Sequence, residues 1–66
     1  MPNNTRGWAR RRFDQINGNY EVALQYMLEL YQIYNEPHPE IGSNIELLRD
    51  LTVECQKLSE KIKELI

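Results

Sequence analysis

Two prolines just past the middle of the chain, in the stretch Asn35-Glu36-Pro37-His38-Pro39-Glu40, constrain the fold more than any other feature. Each lacks an amide donor and biases the residue before it away from the α region, so a helix arriving from the N-terminal side must stop near Asn35. On either side the apolar residues recur at helical spacing, and no segment alternates with period two. The expectation is an all-α chain folded back on itself at the prolines.

Two further signals divide it. Asn17-Gly18-Asn19 has the residues of a helix C-terminus followed by a helix N-cap, because glycine reaches positive φ without strain and asparagine accepts from free amide groups. Ser43-Asn44-Ile45-Glu46 matches a capping box, in which Ser43 accepts from the Glu46 amide and Glu46 reaches back to that of Ser43. These boundaries predict three helices, over about 5 to 16, 20 to 35 and 44 to 65, in a single domain of residues 1–66. The second and third form the dominant antiparallel hairpin.

At about 100° per residue, Glu21, Gln25, Glu29 and Gln32 gather in one arc of the middle helix and the rest of its circumference is apolar. In the last helix Leu48, Leu51, Cys55, Leu58, Ile62 and Leu65 step 3-4-3-4-3, the spacing of a heptad seam. Residues 44 to 65 would reach about 9 Å further than residues 20 to 35. That end carries Ile62, Leu65 and Ile66, which must find Trp8 and Phe13 of the first helix or a second copy of the chain. A second copy is the favoured reading, giving a homodimer or higher helical bundle with Leu58, Ile62, Leu65 and Ile66 as the oligomer seam.

Size points the same way. A chain of 66 residues with 41% apolar side chains buries too little surface for a single core to contribute more than about 3–5 kcal/mol. Its one cysteine excludes an internal disulfide, and Cys55 with His38 falls short of a structural zinc site. One His, one Cys, Ser43 and Ser59 make no nucleophile–base set, and the carboxylates have no metal-loop spacing. No enzyme activity, catalytic residue, cofactor or metal is therefore expected. Without an apolar run near 18 residues or a charged-then-apolar start, a cytoplasmic protein with no membrane partner is expected.

Charge is unevenly distributed. The overall balance is −2, yet residues 1–15 carry Arg6, Arg10, Arg11 and Arg12 against Asp14 alone. Arginine beside an aromatic, here Trp8, suits phosphate binding with base stacking, since guanidinium grips phosphate oxygens in pairs and indole offers a π-face. The same cluster suits the acidic surface of another protein. Arg6, Trp8, Arg10, Arg11, Arg12 and Tyr26 are thus the candidate partner- or anion-binding residues. Two partners are weighed for them: a larger protein target, and a nucleotide or nucleic acid. The acidic pI near 5.3 disfavours a general nucleic-acid binder. The leading expectation is a small regulator or inhibitor acting by protein–protein interaction and homo-oligomerisation.

Gly18-Asn19-Tyr20-Glu21-Val22-Ala23-Leu24, continuing through Met27, Leu30 and Ile33, resembles the turn and second helix of a tetratricopeptide repeat. The small-x-aromatic-x-x-Ala spacing is met at Gly18, Tyr20 and Ala23, and His38-Pro39-Glu40-Ile41 resembles the longer repeats of the kinesin-light-chain kind. The likeness is partial, covering residues 18–48. It departs at the first helix, whose aromatics are one position out of step, and at Arg49, where the family places a small residue. It implies a protein-binding role.

Overall fold

The prolines do turn the chain. The computed structural model describes residues 2–66, with side chains from Thr5 onward, and consists of two helices, α1 (Pro2–Tyr34) and α2 (Pro39–Leu65), packed as an antiparallel hairpin about 54 Å long. At the joint, the His38 amide donates to the Tyr34 carbonyl at 2.9 Å, and the His38 carbonyl accepts from Ile41 and Gly42 at 3.0 and 3.1 Å. One residue thus closes α1 and opens α2.

Three boundaries differ from those expected. The first concerns helix number: there are two helices, not three, because α1 runs unbroken through Asn17-Gly18-Asn19. No described residue has positive φ, and Gly18 faces open space with nothing within 4 Å of where a Cβ would stand. What carries the helix across is a stripe of α1 that keeps its phase: Phe13, Asn17, Tyr20, Leu24, Met27, Tyr31 and Tyr34 step 4-3-4-3-4-3 and are all buried or half-buried. A break at Gly18 would split that stripe, so tertiary packing overrides a local stop signal. Gly18→Ala is expected to stabilise the protein by about 0.5–1 kcal/mol, through helix propensity and reduced freedom of the unfolded chain. A lowered melting temperature would place a turn at residue 18.

The second difference is the start of α2. It begins at Pro39 rather than near residue 44, with His38 in the N-cap position and no side-chain cap. Proline at the first helical position has no amide to leave unpaired and a φ already suited to the helix, so Pro39 initiates what it was expected to block. Ser43 then lies inside α2, and the capping box is not used as a cap. The added turn brings Gly42 against Asn35, where a Cβ would stand 3.0 Å from the Asn35 Cα. The close approach of the helices at the turn depends on that missing side chain.

The third difference is which helix overhangs. Lys63 donates to Asp14, Gln56 to Glu21, and the Thr52 hydroxyl lies 4.0 Å from the Met27 sulfur, a constant register along the hairpin. Since α2 ends at Leu65, the residues before about Arg12 have nothing of α2 beside them. The projecting end belongs to α1, with its arginines, and not to α2.

The interface between the helices has an unusual composition. On α2 the stripe facing α1 is Gly42, Ile45, Arg49, Thr52, Gln56, Ser59, Lys63 and Ile66, again a 3-4 repeat but mostly small or polar. Among the described residues no apolar side chain is fully buried, whereas Asn17 and Ser59 are only 8% and 6% exposed. Thr52 satisfies its hydroxyl on the Leu48 carbonyl at 2.7 Å. Both amide atoms of Asn17 and the Ser59 Oγ have no hydrogen-bond partner.

Candidate interaction surface

The heptad seam expected of α2 stands one residue behind the stripe that packs on α1, and therefore about 100° away from it. Leu48, Leu51, Cys55, Leu58, Ile62 and Leu65 are all exposed, Leu58 at 58% and Leu65 at 79%. The seam is real, but α1 does not cover it.

On α1 the residues one behind the inner stripe are Arg12, Ile16, Asn19, Ala23, Tyr26, Leu30 and Ile33. In an antiparallel pair of right-handed helices, stepping back by one residue turns both helices toward the same side of the hairpin. The two sets thus share one side, and a groove lined by Ile16, Leu58, Ile62 and Cys55, floored by Phe13, Tyr20 and Ser59, joins them. Tyr26, at 60% exposure, lies on this apolar side.

Stepping forward by one residue gives the opposite side: Asp14, Gly18, Glu21, Gln25, Leu28 and Gln32 on α1 and Asn35 just past its end, with Ser43, Glu46, Asp50, Val53, Lys57, Glu60 and Glu64 on α2. Of the arc seen in the sequence, Glu21, Gln25 and Gln32 lie here, while Glu29, two residues past Met27, points outward. The two polar cross-links between helices, Asp14–Lys63 and Glu21–Gln56, are also on this side. The remaining ion pairs, Arg49–Asp50 at 3.0 Å and Glu54–Lys57 at 3.3 Å, are exposed contacts within α2, worth little individually. The hairpin is a slab with one mainly polar side, the wet side, on which Leu28 and Val53 are apolar, and one mainly apolar side, on which Arg12 and Asn19 are polar.

Of the expected oligomer seam, Leu58, Ile62 and Leu65 lie on the apolar side, whereas Ile66 is half-buried at the end of the inner stripe. Of the expected partner- or anion-binding residues, Arg6, Trp8, Arg10 and Arg11 lie on the projecting end of α1, with Arg12 at its base. The Arg12 guanidinium stands 5.2 Å from the centre of the Trp8 ring and donates to Gln15 at 3.0 Å. Asp14 bonds Lys63 rather than Arg10, and among the described residues Arg6, Arg10 and Arg11 enter no ion pair. Tyr26 is far from this group along α1, so the six residues form two sites and not one.

Sequence reasoning missed the inner stripe. Its signal was present: the 4-3 repeat of Phe13, Tyr20, Leu24, Met27, Tyr31 and Tyr34 runs unbroken in phase across Gly18. Small residues on α2, Gly42 and Ser59, are the other half of the signal, since they let a partner helix approach. Among the described residues no three of His, Cys, Asp and Glu come together as a metal site, and no helix is long and apolar enough to cross a membrane. No protein-family model, curated protein or solved structure matches the chain.

Proposed function

We propose that the chain is a small non-enzymatic binding protein, a regulator or inhibitor that works by protein–protein contact and self-association through its apolar side. One observation carries this reading: a side built from both helices, with Leu48, Leu51 and Leu58 each more than half exposed, is left uncovered by the hairpin itself. Exposed apolar surface that is continuous, and rimmed by polar residues, marks an interaction site. The wet side, with its carboxylates and lysines, is what faces solvent when the apolar side is occupied.

The test is site-specific photocrosslinking in cell extract, with a photoreactive phenylalanine at Leu51 on the apolar side or at Asp50 on the wet side. The expected result is a discrete cross-linked protein product from position 51 and none from position 50. Equal products from both, or none from either, contradicts the reading.

A second reading attaches to the projecting end of α1. Arg6, Arg10 and Arg11 lie beyond the end of α2 without an acidic partner, beside Trp8 at 53% exposure, a group of the chemistry that binds phosphate and stacks on bases. In this reading the hairpin oligomer binds a nucleotide or nucleic acid. Weakened oligonucleotide binding in Arg10→Gln/Arg11→Gln, with a flatter salt dependence, would support it.

A further inference from the structure

Resting on the binding reading above, we propose that the occupant of the apolar side is a second copy of this chain, laid antiparallel, so that two hairpins close into a four-helix bundle. Three observations support this: surface area, charge and self-complementarity.

The chain has 5333 Å² of accessible surface. A compact monomer of 7.9 kDa has about 4,400 Å². The excess, roughly 900 Å², matches the surface each partner gives up in a standard protein interface, about 800 Å². One hairpin laid on another removes surface of this size from each.

Charge selects the orientation. Residues 5–19, at the open end, carry four arginines against Asp14, a net +3. Residues 20–50, toward the turn, carry Glu21, Glu29, Glu36, Glu40, Glu46 and Asp50 against Arg49, a net −5. Residues 51–66 carry three lysines and three glutamates. Each hairpin is therefore a rod with a basic end and an acidic end. A parallel pair would set basic against basic and acidic against acidic, whereas an antiparallel pair lays the arginine-bearing projection of one copy beside Glu36 and Glu40 of the other. A two-fold axis satisfies both contacts at once, as a closed homodimer requires. The projection, with no α2 beside it in its own hairpin, then gains a neighbour.

The orientation is read from the separation of the two turns. Spin labels are attached to His38→Cys in a Cys55→Ser background, and their separation is measured by pulsed dipolar spectroscopy. The antiparallel dimer places the turns at opposite ends of a rod 54 Å long, so the expected separation is about 50 Å. Reversing Glu36 and Glu40 to lysine should weaken the dimer at least roughly tenfold, and adding Arg10→Glu and Arg12→Glu should restore it. A separation under about 20 Å would overturn the orientation, since turns side by side mean a parallel pair. No dipolar signal at any concentration would overturn the second copy as occupant. In that case a cross-link from position 51 to a different protein leaves the binding reading standing, and no cross-link removes it as well.

Discussion

Placing glutamate at both Leu51 and Leu58 is expected to abolish assembly of the chain. Leu51 and Leu58 are 57% and 58% exposed in the hairpin, so each has a little over half of the ~1.5–3 kcal/mol of full leucine burial left to gain, and a symmetric dimer loses four of them. The loss of about 4 kcal/mol corresponds to a roughly 10³-fold weaker association before the added carboxylates are counted. Helicity should fall with it, because among the described residues the hairpin fully buries no apolar side chain and the proposed assembly is what would complete its core. The control is on the other side of the slab: Asp50→Ala and Glu60→Ala, both exposed, should change stability by no more than about 0.5 kcal/mol. Concentration-dependent thermal melts monitored by circular dichroism read both. Equal losses from the two sides would mean that the apolar side has no special role.

The second large effect has the opposite sign. Asn17 sits on the inner stripe of α1 with both amide atoms unpaired, at the level between the Asp14–Lys63 and Glu21–Gln56 cross-links where Ser59 also lies unpaired. A buried polar group without a partner costs about 1–3 kcal/mol. Asn17→Leu should therefore stabilise the hairpin by about 2 kcal/mol and raise its melting temperature by roughly 10 °C. The gain comes with a loss. Buried asparagine on a heptad stripe fixes register at the expense of stability, and without it the two helices can slip by one heptad. In the variant the Asp14–Lys63 and Glu21–Gln56 contacts should become heterogeneous by NMR. A fall in melting temperature would show that Asn17 has a partner in solution and contributes net stability.

How much of this was legible in the sequence follows from what each signal means physically. Pro37 and Pro39 act through covalent geometry and need no partner, so the reversal of the chain between them is readable directly. The wet side was half readable, because Glu21, Gln25 and Gln32 cluster by helical spacing alone. Gly18 misled because a conformation that glycine can adopt is not one it must adopt. The phase of Phe13, Tyr20, Leu24 and Met27 decides the matter, and it extends beyond the local window. Pro39 misled in the complementary way: proline blocks the middle of a helix and suits its first position, and which applies depends on where His38 closes the preceding helix.

The seam of Leu48, Leu51, Leu58 and Leu65 teaches a more general point. A heptad repeat says that a face avoids water; it does not say which surface removes it from water. Here α1 takes the stripe one residue ahead, with Gly42, Thr52 and Ser59, and leaves the leucines on a side that Ile16, Tyr26, Leu30 and Ile33 extend across the hairpin. No inspection of one helix could choose between the two, because the choice is made by the pair. The arginine cluster was visible as composition, but its position on a projection beyond the end of α2 depends on the hairpin register.

The most direct test of the account is sedimentation equilibrium on the unmodified chain over a roughly hundredfold range of concentration, since association is a mass-action property. A mass of twice 7.9 kDa at the upper end, falling toward 7.9 kDa on dilution with a parallel loss of helicity, is the predicted result. A 7.9 kDa species that remains fully helical at every concentration would contradict it, because the hairpin would then be stable with its apolar side open to water.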